Sequence, residues 1–578
     1  MKRFRLVIFS SMSPPDLKRL LRRLSLDLSE VEICGVLYEH ARPPLALKKR
    51  IKRAARLLGQ KDFLLFLAHQ TREHLQRRFI NLFDGLLRAL HAAPVNPNGA
   101  PVTLEELAQD CLAQGISFHI TNEIHDDESL AFVRGLQPDL GLIYGTRILK
   151  AKLFDLPLKG SINIHQHKVP EYRGGGPAGI WELRDGKREA TVTVHRVTQA
   201  VDGGNVLGER TFAIDPFDTL ESLGLKADVL SLDLITDVLR AESQGLAQDV
   251  PQPDEGTVYK GYQPHQLFAI ERKSRRERER YRVVRGHPVY KLAVRALAYP
   301  VLFVKNRRHR REGSFPVVIL YHHVITDKPK AMGLSTAHFA RHVRFLKKHY
   351  RIVSLPEALK MLRAGRVDAP TVVLTFDDGY ADNFLCLRAV AEAENVPVTH
   401  FVCTQRVAEG AEFDHDTETG ERGFTAFSWE QLRYLERHGA TIGSHTRNHL
   451  DCGSRDTRLL ADEIAGSHED LTRELGHAPD YFAFPKGHPE NMSEEAMQLA
   501  KQSYKYIFSA YGKVNYTLAA APCEVYRCAH PASLWELELL LQSVLDLNLG
   551  EAKRARTAER RAAESLPLLA DSSGEVVE

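Results

Sequence analysis

The C-terminal half of this 578-residue chain carries the sequence Thr371-Val-Val-Leu-Thr-Phe-Asp-Asp-Gly-Tyr380. Its first six residues are apolar or β-branched, which is the pattern of a strand buried in a parallel sheet. Two adjacent carboxylates, Asp377 and Asp378, follow directly, and Gly379 marks a turn. Because adjacent strand residues face opposite ways, one carboxylate can bind a cation while its neighbour points elsewhere. The sequence therefore predicts a functional site where this strand ends.

Similar strand-like runs lie on both sides of this segment and alternate with helical stretches. The strand-like runs are Pro316–Tyr321, Thr399–Cys403 and Ala440–Ser444, and the helical stretches are Thr336–His349, Pro356–Ala364, Ala381–Glu394 and Ser428–Gly439. Alternation of this kind is typical of an α/β domain with a parallel sheet. The C-terminal half is therefore expected to form an α/β domain of its own.

Two histidines in the sequence Ser444-His-Thr-Arg-Asn-His-Leu450 are four residues apart. One helical turn would place the imidazoles of His445 and His449 side by side. A lone pair with this spacing is more often a surface feature than a metal site. Together with two carboxylates at a strand end it forms a mixed nitrogen and oxygen ligand set. That set favours a divalent-metal site with open positions for water and substrate.

Residues 314–545 resemble the polysaccharide deacetylase family through three motifs. Tyr321-His-His-Val324 is similar to the opening motif, Thr375-Phe-Asp-Asp-Gly-Tyr380 to the first catalytic motif and His445-Thr-Arg-Asn-His449 to the second. The resemblance implies that this half forms a deformed (β/α) barrel.

The same resemblance implies a role for each residue of the site. Asp377 would be the general base, and Asp378, His445 and His449 would hold a divalent metal, commonly zinc. The implied chemistry is hydrolysis of an amide, in which the ion polarises an acetamide carbonyl and lowers the pKa of its water.

Later motifs of the family usually supply a general-acid histidine and an arginine in the substrate groove. Phe482-Ala-Phe-Pro-Lys-Gly487 resembles the third motif, with Lys486 at a position that is often aromatic. The sequence Val525-Tyr-Arg-Cys-Ala-His530 then offers Arg527 and His530. We assign the general acid to His530, with a structural role as the alternative.

The N-terminal half begins with a strand–helix–strand pattern. Leu6–Phe9 and Val31–Tyr38 are apolar runs, and a helical pattern from Asp16 to Leu26 separates them. Further strand-like runs follow at Leu140–Tyr144 and Ile162–His165. This order is typical of a parallel α/β sheet.

A second group of polar residues lies in this half. Asn163 and His165 are two residues apart, so they share one face of a strand. The glycine-rich turn Pro170-Glu-Tyr-Arg-Gly-Gly-Gly-Pro177 follows, where backbone can approach a ligand closely. Asp202 comes later, in the sequence Val201-Asp-Gly-Gly-Asn-Val-Leu207.

Residues 1–250 resemble the folate-dependent formyltransferase family, which implies a Rossmann-like domain that transfers the formyl group of 10-formyltetrahydrofolate to an amine. Asn163, His165 and Asp202 match the family's catalytic residues. In the implied reaction, Asn163 and a protonated His165 stabilise the tetrahedral oxyanion. Asp202 orients the imidazole or accepts a proton. No metal is needed for this step.

The resemblance also places a folate pocket. The family's pocket-lining pattern matches Arg147, Ile148 and Leu149, with Asp202 near the cofactor. Two departures from the family, Gln166-His-Lys-Val-Pro170 and Asp202-Gly-Gly204 in place of the family's Asp-Thr-Gly, lie near the folate and the acceptor. They leave the acceptor's identity open.

The distribution of charge is uneven. The net charge is +4, too small to indicate a nucleic-acid partner, yet residues 271–312 carry 15 Lys and Arg against four acids. Within this block, Tyr290–Val304 is an apolar stretch between arginine clusters. Such a segment suits peripheral contact with an anionic membrane, and a solvated linker helix is the alternative.

Cysteine usage and the N-terminus bear on the compartment. The seven cysteines form no CxxC pair, which favours a reducing compartment over a disulfide framework. The apolar start is broken by serines and prolines, so we interpret it as a first buried strand rather than a signal peptide. No window of 18 uninterrupted apolar residues indicates a spanning helix. The expected location is cytoplasmic, with the inner membrane face as a peripheral site.

These features divide the chain into four parts. The formyltransferase-like domain covers 1–250, the basic amphipathic linker 251–313, the deacetylase-like domain 314–550 and the tail 551–578.

The two domains share a chemical intermediate, a free amine. The sequence predicts a bifunctional enzyme that deacetylates an acetamido sugar, linked to a nucleotide or a lipid, and then formylates the amine. One alternative is formylation of an amino sugar followed by deformylation of a lipid-linked product. Another is that one domain is degenerate and acts as a binding scaffold.

Overall fold

The structure of the protein is a computed structural model. It describes residues 3–40, 97–253, 255–259, 288–511, 514–518 and 520–542, together with ten single positions between 59 and 89. The predicted tail at 551–578 and residues 260–287 of the predicted basic linker lie outside the described residues. Both halves consist of alternating strands and helices, so the predicted α/β fold class is confirmed.

The N-terminal domain is built on a seven-stranded sheet. Its strands are β1 Phe4–Ser10, β2 Val31–Glu39, β3 Ser117–Thr121, β4 Leu140–Tyr144, β5 Ser161–His165, β7 Glu189–Arg196 and β8 Val206–Ala213. The spatial order is β3-β2-β1-β4-β5-β7-β8, with β1 to β5 parallel and β7 and β8 antiparallel. Outside this sheet, β6 Arg173–Gly174 pairs with β9 Val258–Tyr259.

Helices cover both faces of this sheet. They are α1 Pro14–Asp27, α2 Leu104–Ala113, α3 Asp127–Leu136, α4 Ala151–Phe154, α5 Ile180–Arg184 and α6 Leu220–Gln244. Side chains alternate along β1, so Leu6 and Ile8 pack into one core while Val7 and Phe9 pack into the core on the opposite face. Burial on both faces explains why the sequence of this strand is uniformly apolar.

The C-terminal domain is built on a nine-stranded parallel sheet. Its strands are β10 Val317–His322, β11 Arg351–Ile352, β12 Thr371–Phe376, β13 Thr399–Val402, β14 Thr441–Ser444, β15 Tyr481–Ala483, β16 Tyr506–Phe508, β17 Cys523–Val525 and β18 Cys528–Ala529. The order is β17-β16-β15-β14-β13-β12-β10-β18, with β11 beside β12. The sheet curls into a half-barrel, as predicted for a deformed (β/α) barrel.

Ten helices accompany this sheet in the described residues. They are α7 Pro288–Glu312, α8 Thr336–His349, α9 Leu355–Arg363, α10 Cys386–Glu394, α11 Thr404–Glu409, α12 Asp414–Glu418, α13 Trp429–Arg437, α14 Thr457–Leu475, α15 Glu494–Ser503 and α16 Leu534–Leu541. Short 3₁₀ turns lie at Ala381–Phe384 and Pro489–Asn491.

Alternation along β10 separates the two sides of the curled sheet. Val317 and Ile319 pack into a core inside the half-barrel, whereas Val318 and Leu320 pack into a core shared with α8 and α10. The same period of two decides which polar residues beyond the strand ends face the interior. Strands β12 and β14 run parallel, so the residues that follow them meet at one edge.

Helix α6 of the N-terminal domain docks on the C-terminal domain. Leu225 and Val229 of α6 belong to the hydrophobic core of the C-terminal domain. The Lys226 ammonium lies 3.0 Å from Asp218 Oδ2 and 2.9 Å from Asp327 Oδ2, and all three side chains are buried. The two domains therefore share a core and a buried ion cluster, and they pack as one unit.

Described residues beyond position 250, where the formyltransferase-like domain is predicted to end, contact the N-terminal domain. Val250 pairs with Val206, and β9 pairs with the glycine-rich turn, so residues up to Tyr259 pack on the N-terminal domain. The predicted linker also contains α7, where Asn306 Nδ2 donates to Gln542 Oε1 at 2.9 Å. Among the residues that the structure describes, no helix is long and apolar enough to cross a bilayer.

Candidate active sites

The first candidate site lies where β5 and β7 meet. Asn163 of β5 is paired in register with His195 of its antiparallel neighbour β7. Asn163 Nδ2 lies 3.3 Å from His195 Nε2 and 3.5 Å from Asp202 Oδ1. His165 Nδ1 lies 3.6 Å from Asp202 Oδ2. The structure brings the three predicted residues together and adds His195, which the sequence reasoning missed.

The imidazole of His165 is buried and held by the backbone. Its Nε2 lies 2.7 Å from Tyr172 O, which fixes the neutral tautomer with the proton on Nε2 and leaves Nδ1 facing Asp202. Burial lowers the pKa of His165, although the Asp202 carboxylate opposes that effect. These contacts favour a neutral ring at rest, with Nδ1 directed toward Asp202.

Asp202 lies in the turn between β7 and β8 with a left-handed φ of 48°. Its Oδ2 accepts a hydrogen bond from Gly174 N at 2.8 Å, and its Oδ1 lies 3.3 Å from His195 Nε2. Burial by itself would raise the pKa of Asp202, but His195, His165 and the Gly174 N–H together lower it to about 2. The carboxylate is therefore charged and can stabilise a proton gained by His165.

The segment that leaves the N-terminal domain supports this carboxylate. Gln252 Nε2 donates to Asp202 O at 3.0 Å, so Asp202 is held through its backbone as well as its side chain. Gly174 has a φ of 92°, and a Cβ there would lie 2.3 Å from Tyr259 O. Only glycine allows β9 to approach the turn that contacts Asp202.

The second candidate site lies at the end of β12. Asp377 and Asp378 follow Phe376, the last residue of the strand, and both are buried. Arg527 Nη1 and Nη2 donate to Asp377 Oδ1 and Oδ2 at 2.6 and 2.9 Å. This bidentate pair fixes the Asp377 carboxylate in one orientation.

Asp378 faces the two predicted histidine ligands. Its Oδ1 lies 3.6 Å from His445 Nε2 and 3.3 Å from His449 Nε2, and the ligand atoms of the three residues all lie within 4.8 Å of one another. Neither carboxylate oxygen has a hydrogen-bond partner among the described residues, although both are buried. Burial alone would raise the pKa of Asp378, yet the surrounding histidines lower it to about 2.

The histidines are in the form that binds a metal. His445 Nδ1 lies 2.7 Å from Ala483 O and donates to it, which leaves Nε2 as an electron-pair donor facing Asp378. Burial lowers the pKa of His445, and it lowers that of His449 to about 4, so both rings are neutral. An orphaned buried carboxylate beside two neutral imidazoles fits a divalent metal ion.

Comparison with known protein families matches the two halves separately. Residues 4–239 match the family described as formyl transferase, and residues 364–507 match polysaccharide deacetylase. The chain joins a formyl transferase domain to a polysaccharide deacetylase domain.

Individual relatives agree with this division. Methionyl-tRNA formyltransferase of Thermodesulfovibrio yellowstonii is 27% identical over 168 residues, 28% of this chain and 54% of that protein. The chain spans about half the length of the curated relatives it matches.

Two solved structures align with one domain each. A de-N-acetylase of Aggregatibacter actinomycetemcomitans has 20% identity and a TM-score of 0.31, covering 37% of this chain and 94% of that chain. A phosphoribosylglycinamide formyltransferase of Anaplasma phagocytophilum has 16% identity and a TM-score of 0.29, covering 45% and 100%.

Two further histidines lie at the site of the deacetylase domain. His323 and His415 both act electrostatically on Asp378, and His415 Nε2 lies 4.0 Å from Asp378 Oδ2. His415 is carried on α12, where Tyr380 OH lies 2.8 Å from its Nε2. The sequence reasoning gave neither a role. His323 stands within the quoted opening motif, whereas no local pattern singles out His415.

His530 does not join this site. Its Nε2 lies 2.8 Å from His342 Nδ1 of α8, and its ring centroid lies 3.8 Å from that of His322. Along Arg527–His530, side chains alternate, so Arg527 faces Asp377 in the interior while His530 faces α8 outside the half-barrel. Burial lowers the pKa of His530 well below its usual range. The geometry therefore favours the alternative, a structural role, over the predicted general-acid role, and Arg527 contacts the Asp377 carboxylate.

The predicted folate residues of the formyl transferase domain follow β4. Arg147 forms ion pairs with Glu39 at 2.8 Å and with Glu123. Ile148 is 77% exposed, whereas Leu149 is buried in the core. Of the three, Ile148 offers the apolar surface that a pterin ring could contact.

Proposed function

We propose that the chain is a bifunctional enzyme that removes the acetyl group from an acetamido sugar and then formylates the freed amine with 10-formyltetrahydrofolate. The observation that carries the proposal is the docking of these two domains through the buried face of α6. The product of amide hydrolysis, an amine, is the acceptor of formyl transfer. We further propose that the sugar is carried on a nucleotide or a lipid.

Asp377 takes the proton of the attacking water in the hydrolytic half-reaction. Arg527 holds both oxygens of that carboxylate, so the remaining lone pairs are presented to the water in a fixed orientation. A divalent ion held by Asp378, His445 and His449 would polarise the carbonyl and acidify the water. The C–N bond then breaks, acetate leaves, and the amine takes up a proton.

Asn163, His165 and Asp202 act in the transfer half-reaction. Asn163 Nδ2 donates to the formyl oxygen as it becomes an oxyanion. His165 Nδ1 accepts the proton of the attacking amine, because the neutral ring has its other nitrogen bound to Tyr172 O. The charged Asp202 stabilises the imidazolium that results. Tetrahydrofolate leaves as the formamide forms.

Mass spectrometry of a coupled reaction tests the proposal. Purified protein is incubated with N-acetylated sugar nucleotides and 10-formyltetrahydrofolate, with Zn²⁺ supplied. We expect loss of the acetyl group and gain of a formyl group on the same sugar. The proposal would be refuted if no acceptor, including lipid-linked sugars, lost an acetyl group or gained a formyl group.

Two variants decide the order of the reactions. Asp377→Asn should leave the acetylated sugar intact, whereas Asn163→Ala should accumulate the free amine. If deformylation instead follows formylation, Asp377→Asn would accumulate the N-formyl sugar. If one domain is only a scaffold, His445→Ala or His165→Ala would leave both half-reactions unchanged.

We also propose that α7 contacts an anionic membrane surface. Val301 and Val304 of this helix are exposed, and Arg307 and Arg308 follow them on the exposed surface. Apolar side chains next to cations suit the boundary between headgroups and acyl chains. Each cation near an anionic surface contributes about 1 kcal/mol.

Flotation with liposomes tests the membrane contact. The double variant Val304→Asp/Arg307→Glu should lose binding to vesicles that contain phosphatidylserine. Leu158→Asp is a matched control, because Leu158 is also an exposed apolar residue but lies on the other domain. Equal flotation of the double variant and the control would refute the proposed membrane contact.

A further inference from the structure

We propose that Glu463 is a positioning residue that holds the metal-binding loop of the deacetylase domain in its ligand geometry. Glu463 lies on α14 and is 3% exposed. Neither the motifs of the sequence nor the ligand set includes it. The inference rests on the proposed metal-dependent deacetylation, and it adds a residue that acts through the loop rather than on the metal.

Three hydrogen bonds join Glu463 to the loop between the two histidine ligands. Its Oε2 accepts from Arg447 N at 2.9 Å and from Asn448 N at 2.8 Å. Its Oε1 accepts from Asn448 Nδ2 at 2.8 Å. A single buried carboxylate therefore binds both backbone N–H groups at the centre of the loop.

The loop needs this support because its backbone is strained. Thr446 has a φ of 67° and His449 a φ of 65°, and neither residue is glycine. The left-handed conformation is unfavourable for residues with a Cβ, so it persists only when the surroundings fix it. Thr446 Oγ1 accepts from His449 N at 3.0 Å, and Glu463 fixes the residues between them.

The two ligands depend on Glu463 to different degrees. His445 directly follows β14 and is also held through Ala483 O, so its ring is fixed by the sheet. His449 comes after the strained turn, so the position of its Nε2 follows the backbone of Arg447 and Asn448. Loss of the Glu463 bonds should therefore displace His449 from Asp378 Oδ1, which lies 3.3 Å away.

Metal affinity, measured without substrate, tests this role. The full-length protein is stripped of metal and titrated with Co²⁺, and the visible absorption of bound Co²⁺ reports the coordination geometry. Zn²⁺ affinity is then measured by competition. Groups that orient metal ligands typically change affinity 10–100-fold when they are removed. We expect a loss of that size, with an altered Co²⁺ spectrum, for Glu463→Ala.

Two control variants separate positioning from charge. In Glu463→Gln the amide oxygen can keep both backbone bonds while the amide of Asn448 turns over, so affinity should stay within about threefold of wild type. If Glu463 acted through its negative charge alone, Glu463→Gln would instead lose metal affinity. Asp462→Ala removes the neighbouring carboxylate, which contacts only the Arg447 side chain at 2.6 Å, and should leave affinity unchanged.

The outcomes distinguish this inference from the proposed function. His445→Ala should abolish specific Co²⁺ binding, and binding as strong as wild type would refute the metal site itself. If His445→Ala loses binding while Glu463→Ala binds as wild type with an unchanged spectrum, only the positioning role is refuted. Should Glu463→Ala fail to fold, Asn448→Asp places a second carboxylate against Glu463. Unchanged affinity in that variant would equally refute positioning.

Discussion

The buried ion cluster between the domains gives the sharpest prediction about stability. Lys226 is the cation that lies between Asp218 and Asp327, and Asp327 belongs to the other domain. Lys226→Met keeps most of the side-chain volume but leaves two buried carboxylates without their cation. Burial already raises the pKa of Asp218, so removal of Lys226 should raise it further.

The expected loss follows from the burial of all three groups. Removing one partner of a buried ion pair typically destabilises a protein by about 3–5 kcal/mol. The side chains of Asp218 and Asp327 are fully buried, so solvent cannot compensate. The hydrogen bonds that Asp327 accepts from Thr336 N and Oγ1 remain and lessen the penalty slightly. We expect a loss of about 3–4 kcal/mol in the free energy of unfolding.

Urea unfolding of the full chain, followed by circular dichroism and tryptophan fluorescence, measures this loss. Arg344→Met is the matched control, because Arg344 joins Glu221 of the other domain in a pair that is exposed. Exposed pairs contribute about 0–1 kcal/mol. The triple variant Lys226→Met/Asp218→Asn/Asp327→Asn should recover most of the stability, since no buried charge is left unpaired. A loss below about 1 kcal/mol for Lys226→Met, equal to that of the control, would refute the argument.

Three further predictions concern the sites and the pH dependence of stability. Gln252→Ala removes a hydrogen bond to Asp202 and should lower kcat for formyl transfer about tenfold without affecting deacetylation. Equal effects on the two activities would contradict a role of Gln252 in holding Asp202. The lysine in Arg527→Lys cannot bind both oxygens of Asp377, so the rate of deacetylation should fall at least about 100-fold while the Co²⁺ affinity stays unchanged. Retained activity would argue against Asp377 as the general base. Burial lowers the pKa of His400 to about 3. Its neutral form therefore stabilises the fold fully above pH 6.5, and this contribution is lost as the pH falls towards 3. Between pH 7 and 5 wild type should lose about 2 kcal/mol more than His400→Gln, and equal losses would contradict the assignment.

Local sequence patterns predict both candidate sites. Thr371–Phe376 has the apolar and β-branched pattern of a buried strand because both of its faces are covered. The residues after it are polar because they lie at the open edge of the sheet. Asn163 and His165 were predicted to share one face because side chains alternate along a strand. These features depend on neighbours within a few residues, so the sequence contains them directly.

Features that depend on partners distant in the chain could not be predicted from local patterns. His530 was predicted as the general acid from the segment Val525-Tyr-Arg-Cys-Ala-His530, in which it follows Arg527 by three positions. That odd spacing on an extended segment places the two side chains on opposite faces of the sheet. The lowered pKa of His165 could not be predicted from the sequence either, because its burial is created by segments far away in the chain.

The sequence by itself determined the two domain families and the α/β class, and it predicted the residues of both candidate sites, since each is encoded in short motifs and local periodicity. Only the tertiary structure decided that Arg527 binds Asp377, that His195 and Gln252 support the formyl transferase site, and that α6 joins the domains. Each of these contacts links residues far apart in the chain. Strand register, burial and the desolvation of charges set them, and no local pattern specifies those quantities.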